Sequence, residues 1–67
     1  MHERLNNRLR EYRMQRNLTQ ADLASHVQVS RKTINTVENG VFIPSTVLAL
    51  RLARAFDTTV EELFQLA

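Results

Sequence analysis

With 67 residues, the chain has room for one small domain, and a core of that size depends on efficient packing or on association. It contains no cysteine, which excludes a disulfide staple and a thiolate metal site. The formal net charge is only +2, no apolar run approaches membrane-spanning length, and the N-terminal MHERLNNRLR lacks the apolar segment of a signal peptide. A cytoplasmic protein is expected.

Gly40 and Pro44 are the only strong breakers, so an all-α chain is favoured over a sheet, which needs more turn residues. A first helix is expected from a start between Glu3 and Asn7 to about Arg16, with Leu5, Leu9 and Tyr12 as its apolar stripe and Arg13 on the border. Asn17 ends it, and Leu18 connects. Thr19 caps a second helix, with Asp22 three residues on as a short-armed capping box, and Leu23, Ala24 and Val27 face inward. Val29 plugs the turn. Ser30 caps a third helix that runs to Asn39 and stops at Gly40, which suits a left-handed residue.

Val41-Phe42-Ile43-Pro44 reads as a loop, and Ser45 caps a fourth helix over 46–56. Leu48, Ala49, Leu52, Ala53 and Phe56 form its buried stripe, with Arg51 and Arg54 opposite and Val47 and Leu50 outside the stripe. Thr59 and Glu62 make a capping box for a fifth helix, where Val60, Leu63 and Phe64 point inward. The architecture expected is a compact bundle of five short helices around one core.

The charges are unevenly placed. Residues 1–32 hold seven Arg and Lys against three Asp and Glu, while residues 33–67 hold two against four. A basic front and an acidic back suit a module that turns one face to a polyanion, although any solvated helical surface can carry such charges. The third helix is more telling. At about 100° per residue from Arg31, Ile34 and Val37 fall on one side, and Lys32, Asn35, Thr36 and Asn39 fall opposite. No packed core needs those polar side chains together, and all of them can bond base edges or phosphates.

TQADLASHVQVSRKTINTVENG followed by PSTVLALRLARAFDTTVEELF resembles the Cro/C1-type (Xre-family) helix-turn-helix transcription regulators over about residues 5–66. The ordered series Leu18-Thr19-Gln20, Leu23-Ala24, Val29-Ser30, Thr33-Ile34 and Val37-Glu38-Asn39-Gly40 carries the resemblance. It implies a lambda-repressor-like fold, with a helix-turn-helix over about 19–39 in one domain spanning 1–67. It also implies that the third helix lies in the major groove of double-stranded DNA. On that basis Arg31, Lys32 and Thr36 are expected at base edges, and Gln20, Thr19, Thr33, Asn35 and Asn39 at phosphates. Arg13 and Glu38 match positions that pair across the core edge in the family, and each also borders its own helix's apolar stripe. That pair is read as structural. The family's loop after Gly40 is often basic or polar, whereas here it is Val41-Phe42-Ile43; Phe42 either folds back onto the body or packs against DNA or a partner subunit.

Other chemistry finds little support. His2 and His26 lack the spacing and companions of metal ligands, and adjacent Glu61 and Glu62 diverge on a helix. There is no nucleophile–base constellation and no glycine-rich phosphate loop, so no enzyme, metal or cofactor is expected. Phe42, Val47, Leu50 and Leu66 are apolar residues the core does not claim, and they suit a homodimer meeting two half-sites of a palindromic operator. The function expected is that of a nucleoid-associated transcriptional regulator, a repressor by preference. The alternatives are an antitoxin that also binds a toxin protein, and the N-terminal DNA-binding part of a longer regulator.

Overall fold

A computed structural model describes residues 4–67, so His2 and a helix start at Glu3 lie outside the described residues. The chain order is β1 (Leu5–Asn7), α1 (Leu9–Gln15), α2 (Gln20–Val27), α3 (Arg31–Glu38), α4 (Thr46–Ala55), α5 (Val60–Leu63) and β2 (Phe64–Leu66). Five helices surround one core of Leu9, Leu23, Ile34, Val37, Leu52, Phe56 and Leu63, all essentially inaccessible. Burying each of the larger side chains contributes about 1.5–3 kcal/mol, and in a chain this short those few residues dominate the stability.

The first helix starts later than its apolar spacing suggests. Residues 5–7 form a strand antiparallel to 64–66, with Leu5 opposite Leu66 and Asn7 opposite Phe64. The cause lies at Asn7, whose Oδ1 accepts from the Leu9 N–H at 3.2 Å while its Nδ2 donates to the Val37 carbonyl at 2.9 Å. An asparagine that bonds the backbone two residues ahead competes with the helix and marks its boundary. The fold is therefore helical with one two-stranded ribbon joining the chain ends. Leu5 is half-buried against the core, in the strand rather than on a helical stripe. At the other end α5 lasts only four residues, because Phe64 is already extended.

Helix starts follow the capping residues. Thr19 accepts from the Asp22 N–H, and the Asp22 carboxylate accepts from the Thr19 N–H, so the short-armed box closes. Ser30 and Ser45 cap α3 and α4 through the N–H groups of Thr33 and Leu48. The longer-armed pair at α5 forms only half a box: Thr59 accepts from the Glu62 N–H, while the Glu62 carboxylate lies 3.9 Å from Arg8. Gly40 ends α3 at φ +74°, where an L side chain is strained.

Candidate nucleic-acid interface

α2 and α3 pack through Leu23, Ala24, Ile34 and Val37, and the turn between them sets which side chains share the outer surface. Gln28 makes that turn in the left-handed region, φ +64°, and Val29 seats its half-buried side chain on the core. A glutamine there costs more than a glycine, so tertiary packing dictates the turn rather than local preference.

Arg31 and Lys32 occupy the first turn of α3 and are exposed. Among the described residues neither has a hydrogen-bond or ion-pair partner. Two cations at a helix N-terminus oppose the helix dipole, and no acidic residue shares the first turn to offset them. The fold gains nothing from them there. An incoming anion would.

Thr33 and Thr36 are differently placed. The Thr33 hydroxyl lies 2.9 Å from that of Ser30, and the Thr36 hydroxyl donates to the Thr33 carbonyl at 3.0 Å. Its hydrogen thus committed, Thr36 offers a methyl group and oxygen lone pairs. That suits a thymine methyl or a base amino group better than a base acceptor.

The remaining polar residues are tied together around Glu38, whose side chain has no accessible surface. Its Oε2 accepts from Arg13 Nε at 2.6 Å, and its Oε1 accepts from the same guanidinium at 3.2 Å, a bidentate pair. Arg13 also donates to the Leu18 carbonyl at 2.8 Å, which fixes the connector between α1 and α2. Oε1 accepts further bonds from Gln20 Nε2 at 3.1 Å and Arg10 Nε at 3.3 Å. Burial pushes the Glu38 carboxyl up, but the hydrogen bonds from Arg13, Gln20 and Arg10 and the Arg13 charge outweigh it. The group ends below the ordinary glutamate range.

Gln20 therefore spends one amide N–H on Glu38, and its Oε1 accepts from Asn35 at 3.4 Å; Asn35 accepts from Asn39 at 3.3 Å, and Asn39 accepts from Arg10 at 2.9 Å. Thr19 is occupied by its cap. Its hydroxyl accepts from the Asp22 N–H, and its hydrogen is shared with the Asp22 carboxylate. Asp22 already sets a negative charge at the start of α2, and the Thr19 backbone N–H and then its hydroxyl hold that carboxyl below its ordinary range. Any phosphate at this helix start meets that charge, which weakens the pull of the helix dipole.

Two contributors were missed by sequence reasoning. Arg10 sits three residues before Arg13 and so on the same helical face, a spacing that marks it as a second Glu38 partner. Asn7, which bonds the carbonyl near the end of α3, carries no comparable signal.

The apolar candidates are all accessible. Phe42 is 49 % exposed and lines a groove of about 380 Å³ with Leu5, Asn7, Pro44 and Phe64, and it does not join the side chains packed against the core. Its neighbours Val41 and Ile43 stay out in solvent. Val47 and Leu50 lie one turn apart on α4, 58 % and 56 % exposed, and Leu66 on β2 is 70 % exposed. His26 is exposed, and among the described residues no group of three His, Asp or Glu is placed to hold a metal. No helix of the described residues is long and apolar enough to cross a membrane.

A family model described as helix-turn-helix matches residues 9–63. An uncharacterized HTH-type transcriptional regulator of Methanocaldococcus jannaschii is 43 % identical over 60 residues, covering 90 % of this chain and 91 % of that protein. YgzD of Bacillus subtilis, also an uncharacterized HTH-type transcriptional regulator, is 34 % identical over 62 residues, 92 % and 94 % of the two chains. Among solved structures, the restriction-modification controller protein C.AhdI of Aeromonas hydrophila superposes with a TM-score of 0.76 at 38 % identity, covering 82 % of this chain and 83 % of that one. The clp gene regulator ClgR of Corynebacterium glutamicum gives 0.74 at 26 % identity, with 81 % and 57 % covered. With the two helices, their turn and the exposed face of α3 in place, the chain belongs to the Cro/C1-type helix-turn-helix family of DNA-binding transcriptional regulators.

Proposed function

We propose that residues 1–67 act as one domain that binds double-stranded DNA sequence-specifically, with α3 in the major groove, and represses transcription from an operator in the cytoplasm. The observation that carries this is the exposed pair Arg31 and Lys32, cations without partners among the described residues at the start of α3. Their donors match guanine O6 and N7, while Thr36 meets a neighbouring base through its methyl group or lone pairs. Gln20, Asn35, Asn39, Thr19 and Thr33 contact the flanking phosphates, and the Arg13–Glu38 pair is structural. One short helix makes few base contacts, so the active form is a homodimer on a palindromic site, assembled through Val47 and Leu50 with Phe42 and Leu66. Selection of bound duplexes from a random pool tests this. A recurrent inverted repeat with half-site centres about 34 Å apart is expected; recovery of unrelated sequences contradicts specific recognition. A sedimentation mass of one chain at tens of micromolar, with and without the selected duplex, contradicts the dimer.

A second proposal rests on Val41 and Ile43, apolar and exposed beside this face, where a basic loop would serve DNA better. In an antitoxin they would cover a toxin protein. Co-purification of the native protein with one stoichiometric small partner separates the two.

A further inference from the structure

Donor and acceptor bookkeeping around Glu38 closes into a ring. An ionised carboxylate only accepts, so Gln20 must turn its NH₂ toward Glu38 and its carbonyl toward Asn35. Asn35 must then turn its own carbonyl toward Asn39, and Asn39 must turn its carbonyl toward Arg10. Arg10, which only donates, closes the circuit back to Glu38. Reversing any one amide sets oxygen against oxygen or N–H against N–H at both of its contacts. The anion at one end and the cation at the other thus give all three amides one polarity. Each amide holds its carbonyl toward a donor inside the ring, and among the described residues each keeps one N–H uncommitted. Asparagine or glutamine reads adenine by donating and accepting at once along one amide edge, and a carbonyl already held toward a ring donor has only its second lone pair left and no freedom to turn.

Building on the interface proposed above, we propose that Arg10 is a positioning residue. By closing this ring it fixes the amide polarity of Gln20, Asn35 and Asn39, so that each keeps an uncommitted N–H for phosphate oxygens and holds its carbonyl toward a ring donor, which disfavours adenine readout at these three positions. Arg10 itself need not touch DNA.

The test compares Arg10→Met with Arg8→Met, which removes an equal charge from the same segment outside the ring. In the free wild type, side-chain amide NMR is expected to show one hydrogen-bonded and one solvent-like N–H for each of Gln20, Asn35 and Asn39; three equivalent, solvent-like pairs overturn the ring without any variant. Arg10→Met is expected to shift all three amides. It should also change by threefold or more the relative affinity for selected duplexes differing in one A·T pair at the edge of the half-site. Arg8→Met is expected to lower affinity for all duplexes by one common factor and to leave the amides unmoved. If Arg10→Met merely copies that common factor, or shifts Asn39 alone, the positioning role is wrong while the DNA-binding proposal stands. A wild type that binds no duplex removes the DNA-binding proposal, and this one with it.

Discussion

The two ends of α3 are built on opposite principles. At its start, Arg31 and Lys32 stand exposed with no partner among the described residues, while at its end Asn35, Glu38 and Asn39 are locked to Arg10, Arg13 and Gln20 from two other helices. Free side chains can adjust to whatever base edge they meet, at a cost in rotamer entropy on binding. Tied ones are already ordered and hold one geometry. A helix that must discriminate among sequences and also be seated in a fixed register gains from having both.

The most severe break of this contrast is Arg13→Ala. It leaves the inaccessible Glu38 carboxylate without its bidentate partner, and a loss of about 3–5 kcal/mol is expected in chemical denaturation. A loss under 1 kcal/mol would show that Arg10 and Gln20 suffice to solvate the carboxylate. Next comes Ser30→Ala at the free end, which removes the cap of α3 and should cost about 1 kcal/mol in the same assay, with its effect on DNA affinity confined to that loss. A comparable cost, about 1 kcal/mol, is expected for Gly40→Ala at φ +74°, a strain independent of space because none of the described residues lies within 4 Å of the added Cβ.

Acid sharpens the contrast without mutation. Glu38 and Asp22 both titrate below their ordinary ranges in the folded protein, so on acidification the unfolded chain takes up their protons first. Their stabilising contribution is complete above the ordinary carboxylate range and is lost as pH falls through that range toward the folded values. Denaturation midpoints followed from neutral pH downward should decline there, and Glu38→Gln should flatten the decline. Last and smallest, Gln28→Gly relieves the left-handed turn between α2 and α3, and a gain of about 0.5–1 kcal/mol is expected by thermal unfolding.

Much of the helical part was legible in the sequence because caps act locally. Thr19, Ser30, Ser45 and Gly40 set their helix ends through bonds or backbone angles within a few residues, and the stripe of α4 reports its buried face directly. The ribbon was not legible, since Leu5–Asn7 pairs with Phe64–Leu66 at the far end of the sequence and three residues are too few to show alternation. The box at Thr19 and Asp22 formed as its residues suggest, whereas the one at Thr59 and Glu62 formed only in half for a similar reason: Glu62 lies near Arg8, a distant neighbour. At the interface, the outward face of α3 followed from periodicity. The closed amide ring did not, because it depends on the angle at which α1 crosses α3 and not on either helix alone.

The free end of α3 is tested most directly by replacing Arg31 and Lys32 together with alanine and measuring affinity for a selected and a random duplex at one salt concentration. Affinity for the selected duplex is expected to fall at least tenfold more than for the random one, with stability equal or slightly raised, since each good base contact is worth about 1–3 kcal/mol of discrimination. Equal losses on the two duplexes would mean that these cations serve phosphates and that the bases are read elsewhere.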